Sequence, residues 1–298
     1  MLRGTSPESI SKLTAGRSTH RRPCLNLGVR FKIVDSFPRL LAFDIDGTLL
    51  RSDGTVAPRV RAAINSLKQR GCILVLSTGR PWAQVTRVAK EIGGVDYCVC
   101  LNGAVVVGND GSLLTERTMS REQTRTSAQL ARRLIPGVAL AADMADGRHI
   151  WDQNFSPEFP ADFAIDATRV PDAIAAVDGP VLTWLLDCKE LDALRVIEIL
   201  KPRMPPGTEV RPSGLETPEI VASGVNKASG LAEIAEICGV GALNAWVFGD
   251  GLNDLDMFGW AGCSVAMGNA HTDVLAKADL VAPSNDEDGV AVIVESLL

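Results

Sequence analysis

An apolar run that ends in two aspartates is the feature that most restricts the fold of this chain. Leu40–Phe43 is uninterrupted and apolar, and Asp44 and Asp46 follow it before a Gly-Thr turn. Residues i and i+2 of an extended chain project to the same side, so both carboxylates should leave the strand together. Adjacent carboxylates repel each other, and a metal ion, a lysine or a shared proton must offset that charge. A surface acidic turn would explain this pair alone, but not the motifs that follow it.

Short apolar strands alternate with helices along much of the sequence, which predicts an α/β fold with a doubly wound parallel sheet. CILVL at 72–76 and YCVC at 97–100 have the length and composition of buried strands. Pro58 and Pro81 precede amphipathic segments, and proline suits the first turn of a helix. The same alternation returns in the last quarter of the chain. The Asp-Gly pair at 53–54 predicts a β-hairpin lying over the two carboxylates.

The alternation is interrupted in the middle of the chain, where strand-like segments outnumber helices. We therefore expect a core domain formed by residues 39–113 and 223–298, with an α+β module inserted at residues 114–222. Residues 1–38 are basic, rich in Ser and Thr, and without hydrophobic periodicity. They predict a dispensable or disordered extension, with an organellar transit peptide or a misassigned start codon as alternatives.

Composition argues against several kinds of partner. A net charge of −6 argues against nucleic acid or an anionic membrane surface. No apolar run reaches the roughly 18 residues that a membrane-spanning helix needs. The seven cysteines lack CxxC or metal-finger spacing, which predicts free thiols in a reducing cytoplasm. We expect a cytoplasmic monomer or homodimer that acts on a small molecule.

Four short motifs follow predicted strands: DIDGT at 44–48, STGR at 77–80, VNK at 225–227 and GDGLND at 249–254. Ligands of open parallel sheets bind beyond the carboxyl ends of the strands, so these motifs can meet at one place. The motifs would bring together four carboxylates that suit Mg²⁺, those of Asp44, Asp46, Asp250 and Asp254. The donors suit phosphate oxygens, and they are Lys227, Thr78 and the Gly79 amide. A hard cation and such donors facing a carboxylate nucleophile predict phosphoryl transfer.

In their order and spacing, these motifs resemble the haloacid dehalogenase (HAD) superfamily, and within it the Cof-type, subclass IIB sugar-phosphatase branch. The resemblance covers residues 39–298 and includes LNGA at 101–104, AMGNA at 266–270 and SNDEDGVA at 284–291. It implies a Rossmann-like catalytic core and an inserted α+β cap domain of the C2B type that closes over the site. It also implies a Mg²⁺-dependent phosphatase that hydrolyses small phosphorylated metabolites, such as sugar phosphates, through an aspartyl-phosphate intermediate.

The resemblance also assigns roles to single residues. Asp44 would attack phosphorus, and Asp46 would protonate the leaving oxygen and then deprotonate the hydrolytic water. Lys227 would offset negative charge, and Thr78 would contact the phosphoryl oxygens. Mg²⁺ would be held by Asp44, the Asp46 carbonyl and Asp250, with Asp254 as a ligand or just behind the ligands. The residues expected to bind phosphate or substrate are Gly47, Thr48, Gly79, Arg80, Asn102 and Asn253.

Other functions share these motifs. A phosphomutase or phosphotransferase would use the same aspartate nucleophile, and pyridoxal phosphate or flavin mononucleotide would suit the core motifs as well as a sugar phosphate. A non-catalytic relative is disfavoured because every catalytic position is present. An aspartate at position 46 also argues against a true haloacid dehalogenase or a P-type ATPase. On the inserted module, His149 and Trp151 are candidates for the substrate pocket, although core packing is the commoner role for such residues.

Overall fold

The computed structural model describes residues 37–157 and 165–298. The strands are β1 (Leu40–Phe43), β2 (Ile73–Ser77), β3 (Tyr97–Cys100), β4 (Val105–Gly108), β5 (Leu113–Glu116), β6 (Ala139–Met144), β7 (His149–Asp152), β8 (Ala167–Val170), β9 (Val181–Asp187), β10 (Thr208–Pro212), β11 (Pro218–Ala222), β12 (Ala245–Gly249), β13 (Cys263–Ala266) and β14 (Leu280–Val281). The helices are α1 (Pro58–Gln69), α2 (Trp82–Glu91), α3 (Arg121–Leu134), α4 (Ala173–Ala176), α5 (Ala193–Leu200), α6 (Lys227–Ile237), α7 (Leu255–Trp260), α8 (Thr272–Leu275) and α9 (Gly289–Leu297).

The larger sheet has eight strands in the order β14-β13-β12-β1-β2-β3-β4-β5. The strands from β14 to β3 pair in parallel, and β4 and β5 add an antiparallel edge. The side chains of β1 alternate between two apolar cores: Leu41 and Phe43 pack with α1, α2 and α9, whereas Leu40 and Ala42 pack with α6, α7 and α8. Helices therefore cover both faces, and the predicted doubly wound α/β fold is confirmed.

The smaller sheet has six strands in the order β10-β11-β9-β6-β7-β8. All its strand pairs are antiparallel except that of β7 with β8. One face packs under α3, α4 and α5, with the fully buried Trp184 of β9 at its centre. Most of the predicted elements of this region are present, including the capping box in which Ser120 and Gln123 start α3. We refer to residues 117–222 as the inserted module.

The structure differs from the expected organisation at three places. The boundary expected between Leu113 and Leu114 falls inside β5, which pairs with β4 and stays in the larger sheet. The hairpin expected at 53–54 is a single turn, in which the Asp53 carboxylate accepts a hydrogen bond from the Thr55 amide. The Arg51 guanidinium and the Ser52 amide donate hydrogen bonds to Asp288 and Asp286, and residues 51–55 form no strand. Phe37, assigned to the extension, packs partly buried against the core of the larger sheet.

Other expectations concern the whole chain. Residues 1–36 lie outside the described residues, so the role expected for most of the N-terminal extension is not tested. The six cysteines of the described part are free thiols, as predicted. Among the described residues, no helix has the length and apolar character needed to cross a membrane.

Candidate active site

The parallel register of three strands brings the predicted motifs to one edge of the larger sheet. Phe43 of β1 lies opposite Leu76 of β2 and Phe248 of β12, so these strands end at nearly the same level. The residues that follow the three strands line one pocket, and they include Asp44, Asp46, Thr78, Gly79, Asp250 and Asn253. The convergence predicted from strand-end motifs is therefore present.

A fully buried lysine connects two of the carboxylates. Lys227 is the first residue of α6, whose N-terminus is capped by Asn226. Its Nζ lies 2.6 Å from Asp44 Oδ1 and 2.6 Å from Asp254 Oδ1, and its side chain is 0% exposed. Burial lowers the pKa of Lys227, but Asp254 and Asp44 raise that pKa by more, so the ammonium stays charged. Burial raises the pKa of Asp44 well above its usual range, with Lys227 opposing the shift.

The carboxylates of Asp44, Asp250 and Asp254 form the candidate metal site. One oxygen from each lies within 4.8 Å of the others. Burial and the neighbouring Asp254 raise the pKa of Asp250 to about 7, although the Thr48 hydroxyl donates a 2.7 Å hydrogen bond to it. So much buried negative charge is costly unless a cation offsets it, and hard oxygen ligands suit a divalent cation such as Mg²⁺. The residues present therefore fit a metal ion.

Gly47 and Thr48, both expected to bind phosphate or substrate, lie against Asp250. A Cβ at Gly47 would be 2.2 Å from Asp250 Oδ2, and the φ of Gly47 is +74°. Only glycine adopts this backbone conformation without strain while allowing such a close approach. Thr48 is buried, and its hydroxyl is directed at Asp250 Oδ1. The DIDGT turn thus positions one carboxylate of the metal cluster.

Asp46 is held by a buried arginine, Arg80, for which phosphate or substrate binding is the expected role. The Arg80 guanidinium donates from Nε to Asp46 Oδ2 at 2.8 Å and from Nη2 to Oδ1 at 2.6 Å. The Arg80 side chain is 2% exposed, whereas that of Asp46 is 38% exposed and lines the pocket. A bidentate pair of this kind fixes the orientation of a carboxylate. The two residues are far apart in sequence, and no motif signalled their pairing.

Asn102 and Asn253 contact the inserted module in this structure. Both side-chain amides donate to the carbonyl of Ser213, at 2.8 and 3.1 Å, and Asn253 also donates to Asn102 Oδ1 at 3.0 Å. Ser213 follows β10 in the connection to β11, and it lines the pocket together with Gly214. A Cβ at Gly79 would lie 2.8 Å from the Ser213 carbonyl oxygen. This loop was not predicted as part of the site, and the only sequence signal for it is a Ser-Gly pair between two predicted strands.

Two acidic residues of the smaller sheet also line the pocket and were not predicted. Asp143 is 4% exposed, and its Oδ1 lies 2.5 Å from Nδ1 of His149. Glu219 is 2% exposed and accepts a 3.0 Å hydrogen bond from Asn102 Nδ2. Burial raises the pKa of Glu219 to about 7, although Arg211 opposes this shift. His149 thus supports a pocket residue, whereas Trp151 packs edge-on against Phe155.

The fold and the site together define an α/β enzyme with a carboxylate-rich pocket at the ends of its parallel strands. The haloacid dehalogenase-like hydrolase family matches residues 41–294 of the chain. The 5-amino-6-(5-phospho-D-ribitylamino)uracil phosphatase YitU of Bacillus subtilis is 29% identical over 268 residues, which are 87% of this chain and 97% of that protein. A haloacid dehalogenase-like hydrolase from Bacteroides thetaiotaomicron is 27% identical and aligns with a TM-score of 0.71 over 88% of this chain and 100% of its own.

This chain belongs to the haloacid dehalogenase-like hydrolase family. A HAD subclass IIB sugar phosphatase has the same fold, with a TM-score of 0.74 at 24% identity over 87% of this chain and 100% of its own. The family resemblance drawn from the motifs is therefore confirmed. The roles of individual site residues remain predictions.

Proposed function

We propose that this protein is a Mg²⁺-dependent phosphatase that hydrolyses small phosphate monoesters through an aspartyl-phosphate intermediate. The observation that carries the proposal is the pair of carboxylates after β1, each of which has its own cationic partner. Lys227 binds one oxygen of Asp44, and Arg80 binds both oxygens of Asp46. Membership of the family and the phosphatase activity for which YitU is named support the same reaction.

Asp44 is assigned as the nucleophile. Lys227 donates to its Oδ1 at 2.6 Å. No described residue forms a hydrogen bond with its Oδ2, and Asp44 lines the pocket. Burial raises the pKa of Asp44 and the Lys227 ammonium opposes that shift, so Lys227 favours the ionised carboxylate, which is the nucleophilic form. Attack would form a bond from an Asp44 oxygen to phosphorus and break the bond from phosphorus to the leaving-group oxygen.

Asp46 is assigned as the general acid and base. It would give its proton to the leaving-group oxygen and then take one from the water that hydrolyses the Asp44 ester. Arg80 holds the carboxylate at two points, while the exposed part of Asp46 faces the pocket. Arg80 also lines the pocket, but in this proposal it acts as a positioning residue, because its guanidinium binds both carboxylate oxygens of Asp46.

For the metal ion, we assign the Asp44 and Asp250 carboxylates and the Asp46 carbonyl as protein ligands. Both oxygens of Asp254 are already engaged, by Lys227 and by the amides of Asp250 and Gly251. This favours a positioning role for Asp254 over direct ligation. Bound Mg²⁺ would supply positive charge that offsets the carboxylates and the transferring phosphoryl oxygens.

We propose that the inserted module acts as a cap that moves when substrate binds. Thr78 and Gly79 line the pocket and would contact the phosphoryl oxygens. Asn253 has the same expected role, but its amide donates to Asn102 and Ser213. These hydrogen bonds must break before Asn253 can donate to phosphate, so the Ser213 loop must shift on binding. A cytoplasmic location, which the free cysteines of the described part support, completes the proposal.

The test is phosphate release from a panel of phosphate monoesters, with Mg²⁺ and with a chelator. We expect Mg²⁺-dependent release that Asp44→Asn abolishes while circular dichroism and melting temperature stay unchanged. Asp178→Asn is the matched control, because it removes one charge from a side chain that is 69% exposed. Failure to release phosphate from any ester would contradict the proposal. Activity that requires a bisphosphorylated sugar activator would instead establish a phosphomutase.

A further inference from the structure

We infer that Asp143 and Glu219 select the charge of the leaving group, favouring phosphate esters that carry an ammonium over those with a hydroxyl and rejecting those with a second anion. We call these two residues the acidic wall. The inference rests on the proposed function, because the acidic wall is the leaving-group side of the same pocket. It goes further, because it assigns specificity to two residues of the inserted module.

The register of the smaller sheet places the two carboxylates on one face. Asp143 of β6 lies opposite Thr183 of β9, and Glu219 of β11 lies opposite Leu185 of β9. Thr183 and Leu185 are two residues apart, so they project to the same side of the sheet, and their cross-strand partners do so as well. All four residues line the pocket that contains Asp44 and Asp46. The acidic wall therefore shares one pocket with the catalytic carboxylates, and a leaving group bound in that pocket would lie against it.

Each carboxylate of the acidic wall keeps an oxygen for a ligand. Asp143 is 4% exposed. Among the described residues, its one side-chain hydrogen bond joins Oδ1 to His149, which leaves Oδ2 for a ligand. Glu219 accepts from Asn102 through Oε1, and its Oε2 has only the Thr183 hydroxyl at 3.5 Å, the outer limit of a hydrogen bond. A buried acceptor that faces an open pocket without a good donor is suited to a donor supplied by a ligand.

No lysine or arginine of the inserted module lines this pocket among the described residues. The arginine that does line it is Arg80, whose guanidinium is paired with Asp46. Lys227 and Arg80 thus bind the catalytic carboxylates, whereas Asp143 and Glu219 of the inserted module present acidic groups to the pocket. An ammonium would offset this buried negative charge, a hydroxyl would donate one hydrogen bond, and a carboxylate or second phosphate would face like charges.

Ionising the buried Glu219 carboxyl costs free energy, and this cost strengthens the preference for a ligand that carries an ammonium. Burial raises the pKa of this group to about 7, and the charge of Asp143 adds to the shift, while Arg211, Asn102 and Lys227 oppose it. A ligand ammonium would stabilise the ionised form, whereas a ligand anion would oppose it. For His149, the partner of Asp143, burial lowers the pKa, but the hydrogen bond to Asp143 and the charges of Asp143 and Asp166 together raise it by more.

The experiment compares three series of linear phosphate esters that end in an amine, a hydroxyl or a carboxylate. Chains of two to five carbons are used, so that one length brings the terminal group to the acidic wall. With the Mg²⁺-loaded enzyme, we expect kcat/KM to fall by about 10- to 100-fold from amine to hydroxyl at the best length, the effect of one charge-assisted hydrogen bond. The carboxylate series should be slower still.

Two isosteric variants test whether the acidic wall causes this order. Asp143→Asn and Glu219→Gln should each lower the amine-to-carboxylate ratio of kcat/KM by about tenfold or more, and Asp178→Asn should leave the ratio unchanged. The ratio separates charge selection from a structural role, because a distorted pocket would slow all three series together. The inference would be overturned if both variants had the same amine-to-carboxylate ratio of kcat/KM as the wild-type enzyme.

Binding of the same esters to Asp44→Asn, measured by calorimetry, separates the inference from the proposed function. If the wild-type enzyme turns over none of the esters while Asp44→Asn binds the amine series more tightly than the others, the phosphatase is overturned and the acidic wall is supported. Turnover at the same rate whatever the terminal charge, at every chain length, would support the phosphatase and overturn the acidic wall.

Discussion

Replacing Glu219 with glutamine should stabilise the folded protein above neutral pH and leave its stability almost unchanged near pH 4.5. Glu219 is 2% exposed on β11, and burial raises its pKa from 4.5 to about 7. The charged and titratable groups that act on it come from three other elements: Asp143 on β6 raises the pKa, while Arg211 on β10 and Lys227 on α6 lower it. Burial thus outweighs the two cations.

The sign follows from proton linkage. The folded protein binds the Glu219 proton more tightly than the unfolded chain, so this group makes the free energy of unfolding fall as pH rises from about 4.5 to about 7. Above about pH 7 this loss in the free energy of unfolding is complete and no longer changes with pH. A difference of roughly 2.5 pKa units, at about 1.36 kcal/mol per unit, corresponds to about 3 kcal/mol. Glutamine has no charge to desolvate, and its carbonyl can still accept from Asn102.

The assay is denaturant unfolding of wild type and Glu219→Gln at pH 5 and pH 8.5, in a chelating buffer that holds the metal content of both proteins equal. We expect the variant to gain up to about 3 kcal/mol at pH 8.5 and far less at pH 5. Asp178→Asn, which removes an exposed charge, should show no such pH dependence. An equal effect at both pH values, or a loss of stability at pH 8.5, would refute the reasoning and show that Arg211 and Lys227 stabilise the ionised carboxylate.

Three further substitutions test how the turn after β1 and its partners position the catalytic carboxylates. Gly47→Ala should lower kcat at least 100-fold and reduce the melting temperature, because its Cβ would lie 2.2 Å from Asp250 Oδ2; near-normal activity would contradict this. Thr48→Val removes the 2.7 Å hydrogen bond to Asp250, so a Mg²⁺ titration of activity should show about tenfold weaker metal affinity. A metal affinity equal to that of wild type would contradict this. Arg80→Lys cannot make the bidentate contact to Asp46, so steady-state kinetics should show kcat lowered by about 10- to 100-fold with KM nearly constant. A change confined to KM would instead assign Arg80 to the substrate.

The catalytic edge could be predicted because its signals are local in the sequence. Asp44 and Asp46 stand two residues apart after a strand, and the motifs that meet them follow other parallel strands. The Ser120 capping box and the helix after Pro58 are likewise encoded within a few residues. The predicted hairpin at 53–54 failed because an Asp-Gly pair specifies a turn, whereas a ladder also needs strands that gain from pairing.

Contacts between distant segments could not be predicted in this way. Arg80 was recognised as part of a motif, but its pairing with Asp46 depends on two loops that meet only in the folded sheet. Asn102 donates to Ser213 and Glu219, more than a hundred residues away, and no motif signals either contact. Such contacts are set by strand order and register, and neither is visible in the composition of a single segment.

The dependence on strand register also explains why the acidic wall was not predicted from the sequence and why its two carboxylates can occupy only the pocket face of the sheet. Asp143 and Glu219 are single acids within apolar strands, and their neighbours Ala142 and Ile220 lie in the core under the helices of the inserted module. A slip of either strand by one residue would move its carboxylate into that core and an apolar residue into the pocket. Such a slip would bury an unpaired charge among apolar side chains, at a cost of several kcal/mol. The two acids therefore help to fix the register that directs them at the catalytic site.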